Sequence, residues 1–288
     1  IFLKSNSSNF VVSVAIGKKH YNDWKNYASK LWIKYCKINR LGIIIIKKNL
    51  ISKQNIHSLS PTWQRLLVAN YLKKNLKNVK KICLLDTDIL MNPYSPNVFG
   101  VTKKNKINVA KFAKSDRFTK NEYYSLKKKL IFLRKNFLSK NYPLNSSMSA
   151  SPKEIFKHLK FKNIFDNYFC AGLMVFDVKI FEKVLLNIYK KYSKNFLKNS
   201  LSGGVEAPLN YELMNKKIIN WIDYKFQAIW LLEVADKYSF LYYKKFKEKK
   251  LVQLAIEQIL SENYFLHFPG TLSDAKSVWK IKGILNDK

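Results

Sequence analysis

Three short apolar runs, FVVSVAIG (10–17), LGIIIIKKN (41–49) and KICLLD (81–86), constrain this chain more than any other feature. Between them lie two stretches whose apolar residues recur at helical spacing. The first is YNDWKNYASKLWIKYC (21–36), with Trp24, Tyr27, Ala28, Leu31, Trp32 and Tyr35. The second is SLSPTWQRLLVANYLKKNL, where Ser60 suits an N-cap and Pro61 the first helical turn. Its packing face would carry Leu66, Leu67, Ala69, Asn70 and Leu72. Strand–helix–strand–helix–strand, with runs apolar on both faces, predicts a parallel α/β sheet covered by helices on both sides. Ligands of such sheets bind at the carboxyl ends of the strands. KICLLD runs at such an end into Asp86-Thr87-Asp88. Two carboxylates this close repel, and each loses hydration, so a cation is the natural partner.

Further along, INVAKFA (107–113) and NYFCAGLMVFDV (167–178) read as strands, the latter followed by the amphipathic helix KIFEKVLLNIYKKY. LSGGVEAPLNYELMNK (201–216) reads as a Gly-rich loop feeding a short helix, INWID as a strand and YSFLYY as an aromatic strand. A helix over 251–260 and the strand-like YFLHFPG complete the pattern. Residues 116–165 are Lys-rich with aromatics at helical intervals, and read as helices or a mobile insertion. No repeat or linker breaks the chain, so a single domain over 1–288 is expected.

Composition narrows the partners. The net charge of +34 invites a nucleic-acid reading, but only Arg40, Arg65, Arg117 and Arg134 are arginines, and the lysines are spread over almost every segment. That pattern argues against a nucleic-acid partner. A diffuse lysine surface favours solubility and contact with anionic membranes or glycans. Cys36, Cys83 and Cys170 are odd in number, far apart and form no CxxC pair. They read as reduced residues of a cytoplasmic protein. The apolar runs are far short of a membrane span, and IFLKSNSSNF is too short and polar for a signal peptide.

Five short motifs carry chemistry. In the DxD, Asp86 and Asp88 would converge on one Mg²⁺ or Mn²⁺ where the chain leaves the strand; one Asp ending a strand and another capping a turn is the plain structural alternative. The aspartyl nucleophile of haloacid-dehalogenase-like phosphatases fits poorly, because its DxDx[TV] is broken by Leu90 and no GDxxND follows. Arg65 stands on an apolar helix, where a planar fork suits a diphosphate or a carboxylate. Ala171-Gly172 removes side chains where something approaches the backbone, a ligand or a packed helix. Glu206 follows Gly203-Gly204 at a helix start, as a cap or as a carboxylate facing a reacting sugar carbon. His267 precedes Pro269-Gly270 at a strand-to-loop junction, as a structural imidazole or a third metal ligand.

In this order the pieces resemble a GT-A-fold glycosyltransferase, with a layout similar to family 8. LLDTDIL resembles that family's DxD strand, YFCAGLMVF its FNAG strand, EAPLN its DQxxLN segment and HFPG its HxxG. The resemblance spans roughly residues 10–285, with nothing distinctive in 116–165. It implies the GT-A (nucleotide-diphospho-sugar transferase) fold, with a Rossmann-like, mostly parallel central sheet. It implies a nucleotide-diphosphate sugar donor, most commonly UDP-linked, with Mn²⁺ or Mg²⁺ held by Asp86, Asp88 and His267. Arg65 would touch the donor, Ala15, Ile16 and Gly17 would shape the pocket for the base, and Ala171 and Gly172 would line it. Lys276 would contact the diphosphate. Acceptors would be a glycan, a lipid-linked acceptor or a protein, with 116–165 facing the acceptor or a membrane.

Two departures stand out: Cys170 replaces the usual Asn, and Glu206 the usual Gln, with Val205 before it in place of Asp. Glu206 would serve as nucleophile or ion-pair stabiliser for retention, the family's outcome, or as general base for inversion. The competing expectations are a basic nucleic-acid-binding α/β protein and a relative that binds nucleotide sugars without transfer.

Overall fold

The computed structural model describes residues 1–51, 61–112, 117–138, 150–193 and 204–270. Its centre is a six-stranded sheet built from β1 (Asn9–Val14), β2 (Gly42–Ile46), β3 (Lys81–Leu85), β5 (Ile107–Ala110), β6 (Leu173–Asp177) and β7 (Ile219–Ile222), in the order β2-β1-β3-β6-β5-β7. A smaller sheet has β4 (Ile89–Met91), β9 (Phe265–His267) and β8 (Ala228–Ile229), with β9 in the middle.

In the large sheet β1 pairs parallel with β2 and β3, and β5 parallel with β7. Side chains alternate across it. Phe10, Val12, Ile44, Ile46, Ile82 and Leu84 join one apolar cluster, with Trp63, Leu66, Ala69 and Leu72 of the following helical segment. Val11, Ile43, Cys83 and Leu85 face a second cluster, with Trp24, Leu31, Trp32 and Tyr35. Burial on both faces is why these strands read as unbroken apolar runs and not as alternating ones.

The mostly parallel, doubly covered sheet is as expected, with one correction. β6 runs antiparallel to both β3 and β5. It therefore starts at the edge where β3 ends, and Leu85 pairs with Leu173. The strand also starts later than NYFCAGLMVFDV suggests. At Phe169 the backbone N–H and C=O are both taken by the Asn210 side chain, at 2.9 Å each, so that segment finds its partners outside a ladder. YSFLYY is corrected too: Phe240–Tyr243 is a helical turn. A short apolar run does not distinguish strand from helix by periodicity.

The Lys-rich segment is helical where described. Helices span Lys120–Leu133 and Pro152–His158, and each opens on a reciprocal capping box, Thr119 with Glu122 and Ser151 with Glu154. Among the described residues no helix is long and apolar enough to cross a membrane. Cys36, Cys83 and Cys170 are free thiols.

Candidate active site

Three elements meet at the carboxyl edge of β3. Asp86 follows that strand directly, and its backbone N–H donates to the Gly172 carbonyl at 2.9 Å, tying the DxD to the start of β6. Asp88 immediately precedes β4. Because β4 pairs antiparallel with β9, Ile89 lies opposite His267. The Phe268 N–H donates to the Asp88 carbonyl at 3.0 Å and closes the junction. His267 Nε2 then lies 3.3 Å from Asp88 Oδ1 and 3.8 Å from Asp86 Oδ2. One ligand atom from each of Asp86, Asp88 and His267 falls within a 4.8 Å set.

Two carboxylates and an imidazole make a donor set for a hard or borderline divalent ion such as Mn²⁺ or Mg²⁺. The imidazole is buried at 1% exposure, while the carboxylates are partly open to the cleft, so an ion would be reached from one side. These three residues fit the metal. Burial alone would push the His267 imidazole down, but Asp88, Asp86 and Glu206 outweigh it and the net shift is upward.

Arg65 lies in a single 3₁₀ turn between Pro61–Gln64 and the helix Val68–Asn75. It is buried, and its guanidinium pairs with Asp86. Among the described residues its Nε has no hydrogen-bond partner, which leaves a buried donor beside Asp86. Arg65, Asp86, Thr87 and Asp88 line a cleft of about 270 Å³, together with Val14 and His20. Ala15 is buried, with its N–H donating to Ile46 at 2.8 Å, so the cleft meets β1 at Val14. Gly17, at φ +91°, lets the chain turn from β1 into the helix that brings His20 to this cleft. No motif surrounds His20, and sequence reasoning missed it.

Ala171 and Gly172 sit in the turn before β6. The Ala171 N–H donates to Glu206 Oε1 at 3.1 Å, so the helix Glu206–Asn215 is joined to the site through its first residue. Burial pushes the Glu206 carboxyl up; the Cys170 thiol, the Ala171 N–H and Arg65 pull it down without cancelling the rise. Glu206 and Cys170 also line a smaller pocket of about 90 Å³, walled by Phe112, Tyr123, Tyr168 and Leu232. Tyr123 comes from the Lys-rich segment, which therefore reaches the site. Lys276, Gly203 and Ser60 lie outside the described residues.

A further residue, Gln227, has no motif to mark it. It directly precedes β8, is fully buried, and its carboxamide lies 3.1 Å from His267 Nδ1. Only the parallel pairing of β8 with β9 brings it there.

Solved structures of glycosyltransferases share this architecture, two of them over most of this chain. One is a glycosyltransferase involved in the glycosylation of the major capsid of PBCV-1, with a TM-score of 0.52 and 11% identity, covering 94% of this chain and 98% of that one. The other is the apo structure of the bifunctional glycosyltransferase WbbM, with a TM-score of 0.51 and 14% identity over 96% of this chain. This chain spans 50% of WbbM's length. No known sequence family and no curated protein sequence matches the chain. The fold is that of a GT-A-like glycosyltransferase. At these identities the likeness is one of fold, and family 8 in particular rests on the motifs alone.

Proposed function

We propose that this protein is a metal-dependent glycosyltransferase that moves a sugar from a nucleotide-diphosphate donor to a glycan, lipid-linked or protein acceptor. The observation that carries the reading is the convergence of Asp86, Asp88 and His267 within 4.8 Å, with Asp86 and Asp88 lining a cleft that Arg65 lines as well. A divalent ion held there would neutralise charge on the leaving diphosphate. Asp86 and Asp88 would hold the ion from the cleft side and His267 from the buried side. Arg65 would orient Asp86 and present a fixed positive charge to the donor. Gly172, bare of side chain, makes room for His267 and Gln227 against the turn, and through that turn Ala171 and Gly172 would support the donor site from behind. Glu206 would face the reacting carbon, as nucleophile or ion-pair partner for retention; inversion would need it as the base on the acceptor hydroxyl. The layout favours retention. The helix that supplies Tyr123 would form part of the acceptor wall, and UDP is the first nucleotide to try.

Thermal unfolding with UDP, GDP, CDP or ADP, each with and without Mn²⁺, tests this. A nucleotide at about a hundred times its dissociation constant adds roughly 2.7 kcal/mol. The expected result is a midpoint rise with one nucleotide that requires Mn²⁺ and is lost in Asp88→Asn. No rise with any of the four, in protein that unfolds cooperatively, would overturn the proposal.

A further inference from the structure

The Gln227 carboxamide sits among groups that leave it one sensible orientation. One of its two polar atoms faces the backbone N–H groups of Gly172, at 3.3 Å, and Leu173, at 3.1 Å, as well as His267 Nδ1 at 3.1 Å. The other lies 3.2 Å from the Cys170 carbonyl oxygen. Backbone N–H groups only donate, and a carbonyl only accepts. The atom facing Gly172 and Leu173 is therefore Oε1, and the one facing Cys170 is the amide nitrogen, which donates. Reversing the amide would set donor against donor twice and acceptor against acceptor once, in a site with no solvent to relieve it.

The consequence passes to the histidine. Oε1 accepts, so His267 Nδ1 must carry a hydrogen and donate it. In the neutral imidazole the lone pair then lies on Nε2, the atom that faces Asp86 and Asp88. We infer that Gln227 is a positioning residue, which reads the fixed hydrogens of the Gly172–Leu173 backbone and so holds His267 in the Nδ1–H tautomer with Nε2 turned to the carboxylate pair. It also ties together the three parts of the site: the turn before β6, β9, and, through the Gly172 carbonyl, the Asp86 backbone. Partners that fix the second nitrogen of a ligating histidine commonly set metal affinity by about 10–100-fold. That part of the inference rests on the metal reading proposed above; the tautomer does not.

Two measurements separate them. Long-range ¹⁵N–¹H correlation spectra of histidine-labelled wild-type protein, without metal and at a pH where the imidazole is neutral, report the tautomer. His267 is assigned by its disappearance in His267→Gln. The expected pattern is Nδ1 protonated and Nε2 bare, and the opposite tautomer overturns the inference. Mn²⁺ binding followed by electron paramagnetic resonance then compares variants. Gln227→Leu is expected to weaken binding about 10–100-fold. Gln227→Glu, whose protonated carboxyl keeps an acceptor for Nδ1–H and a donor for the Cys170 carbonyl, is expected to recover most of that loss. Wild-type affinity in Gln227→Leu overturns the positioning role. If Gln227→Leu fails to fold, the wild-type spectrum still decides the tautomer, and the Gln227→Glu affinity decides the role: a loss as deep as that of His267→Gln overturns it. If wild-type protein takes up no Mn²⁺, the metal reading fails while the tautomer result stands on its own.

Discussion

Gly172→Ala is a small change with a large expected effect. Gly172 does not have a positive φ, so backbone strain is not the issue. Space is. A Cβ added at Gly172 would overlap His267 Cε1, lie 2.8 Å from His267 Nδ1 and lie 2.5 Å from the near atom of the Gln227 carboxamide. Ordinary contact begins at 3.4 Å, so the carboxamide alone must retreat by about 0.9 Å, which is 3.4 less 2.5. Neither group has room, since His267 is 1% exposed and Gln227 fully buried. Overpacking of this kind costs about 1–3 kcal/mol, which in a chain this size lowers the unfolding midpoint by roughly 2–4 °C per kcal/mol. The same push turns Nε2 away from Asp86 and Asp88, so Mn²⁺ affinity should fall by at least about tenfold. Calorimetric Mn²⁺ titration alongside thermal unfolding reads both effects. Wild-type affinity and an unchanged midpoint would refute the reasoning, because the ring would then have room that the packing denies it.

Two further predictions concern single titratable groups. Glu206→Gln keeps an acceptor for the Ala171 N–H, so the nucleotide-dependent midpoint rise should persist while sugar transfer falls by about 10²–10⁴-fold; transfer at the wild-type rate would remove Glu206 from the chemistry. Lys127, 4% exposed, donates to the Ala150 carbonyl at 2.7 Å, and burial pushes its pKa down from 10.5 to about 8. The unfolded chain therefore holds the extra proton between those two values, and the fold gains stability as pH rises through that window, by about 3 kcal/mol. Chemical denaturation from pH 7 to 11 should show wild-type protein gaining on Lys127→Met across the window; a constant difference would count against the buried ammonium.

How much of this was legible in the residues depends on the distance over which each feature is decided. The strand that ends at Asp86 and the helix that follows Asp177 are local matters of apolar spacing and capping, and both could be read directly. The helices at 120–133 and 152–158 were one of two readings of the Lys-rich segment, and their start signals, Thr119 with Glu122 and Ser151 with Glu154, are local as well. YSFLYY misled because six residues are too few for a period to declare itself. The reversal of β6 was hidden, since an apolar run reads the same in either direction.

The site divides along the same line. Asp86 and Asp88 are two residues apart, so their proximity is guaranteed by the chain, and the motif order suggested His267. Nothing local marks Gln227 or His20. By itself the sequence determined most of the element types, the carboxylate pair and the ordered motifs that resemble a glycosyltransferase, because local spacing and side-chain chemistry are carried by neighbouring residues. Only the tertiary structure decided that β4 and β8 flank β9, that β6 runs back from the Asp86 edge, and hence that Gln227, Gly172 and His267 share one buried point. Those facts depend on which strand pairs with which, and in what register, between residues as far apart as Ile89 and His267. That choice is made by packing and backbone hydrogen bonding over the whole sheet, and no short stretch of chain contains it.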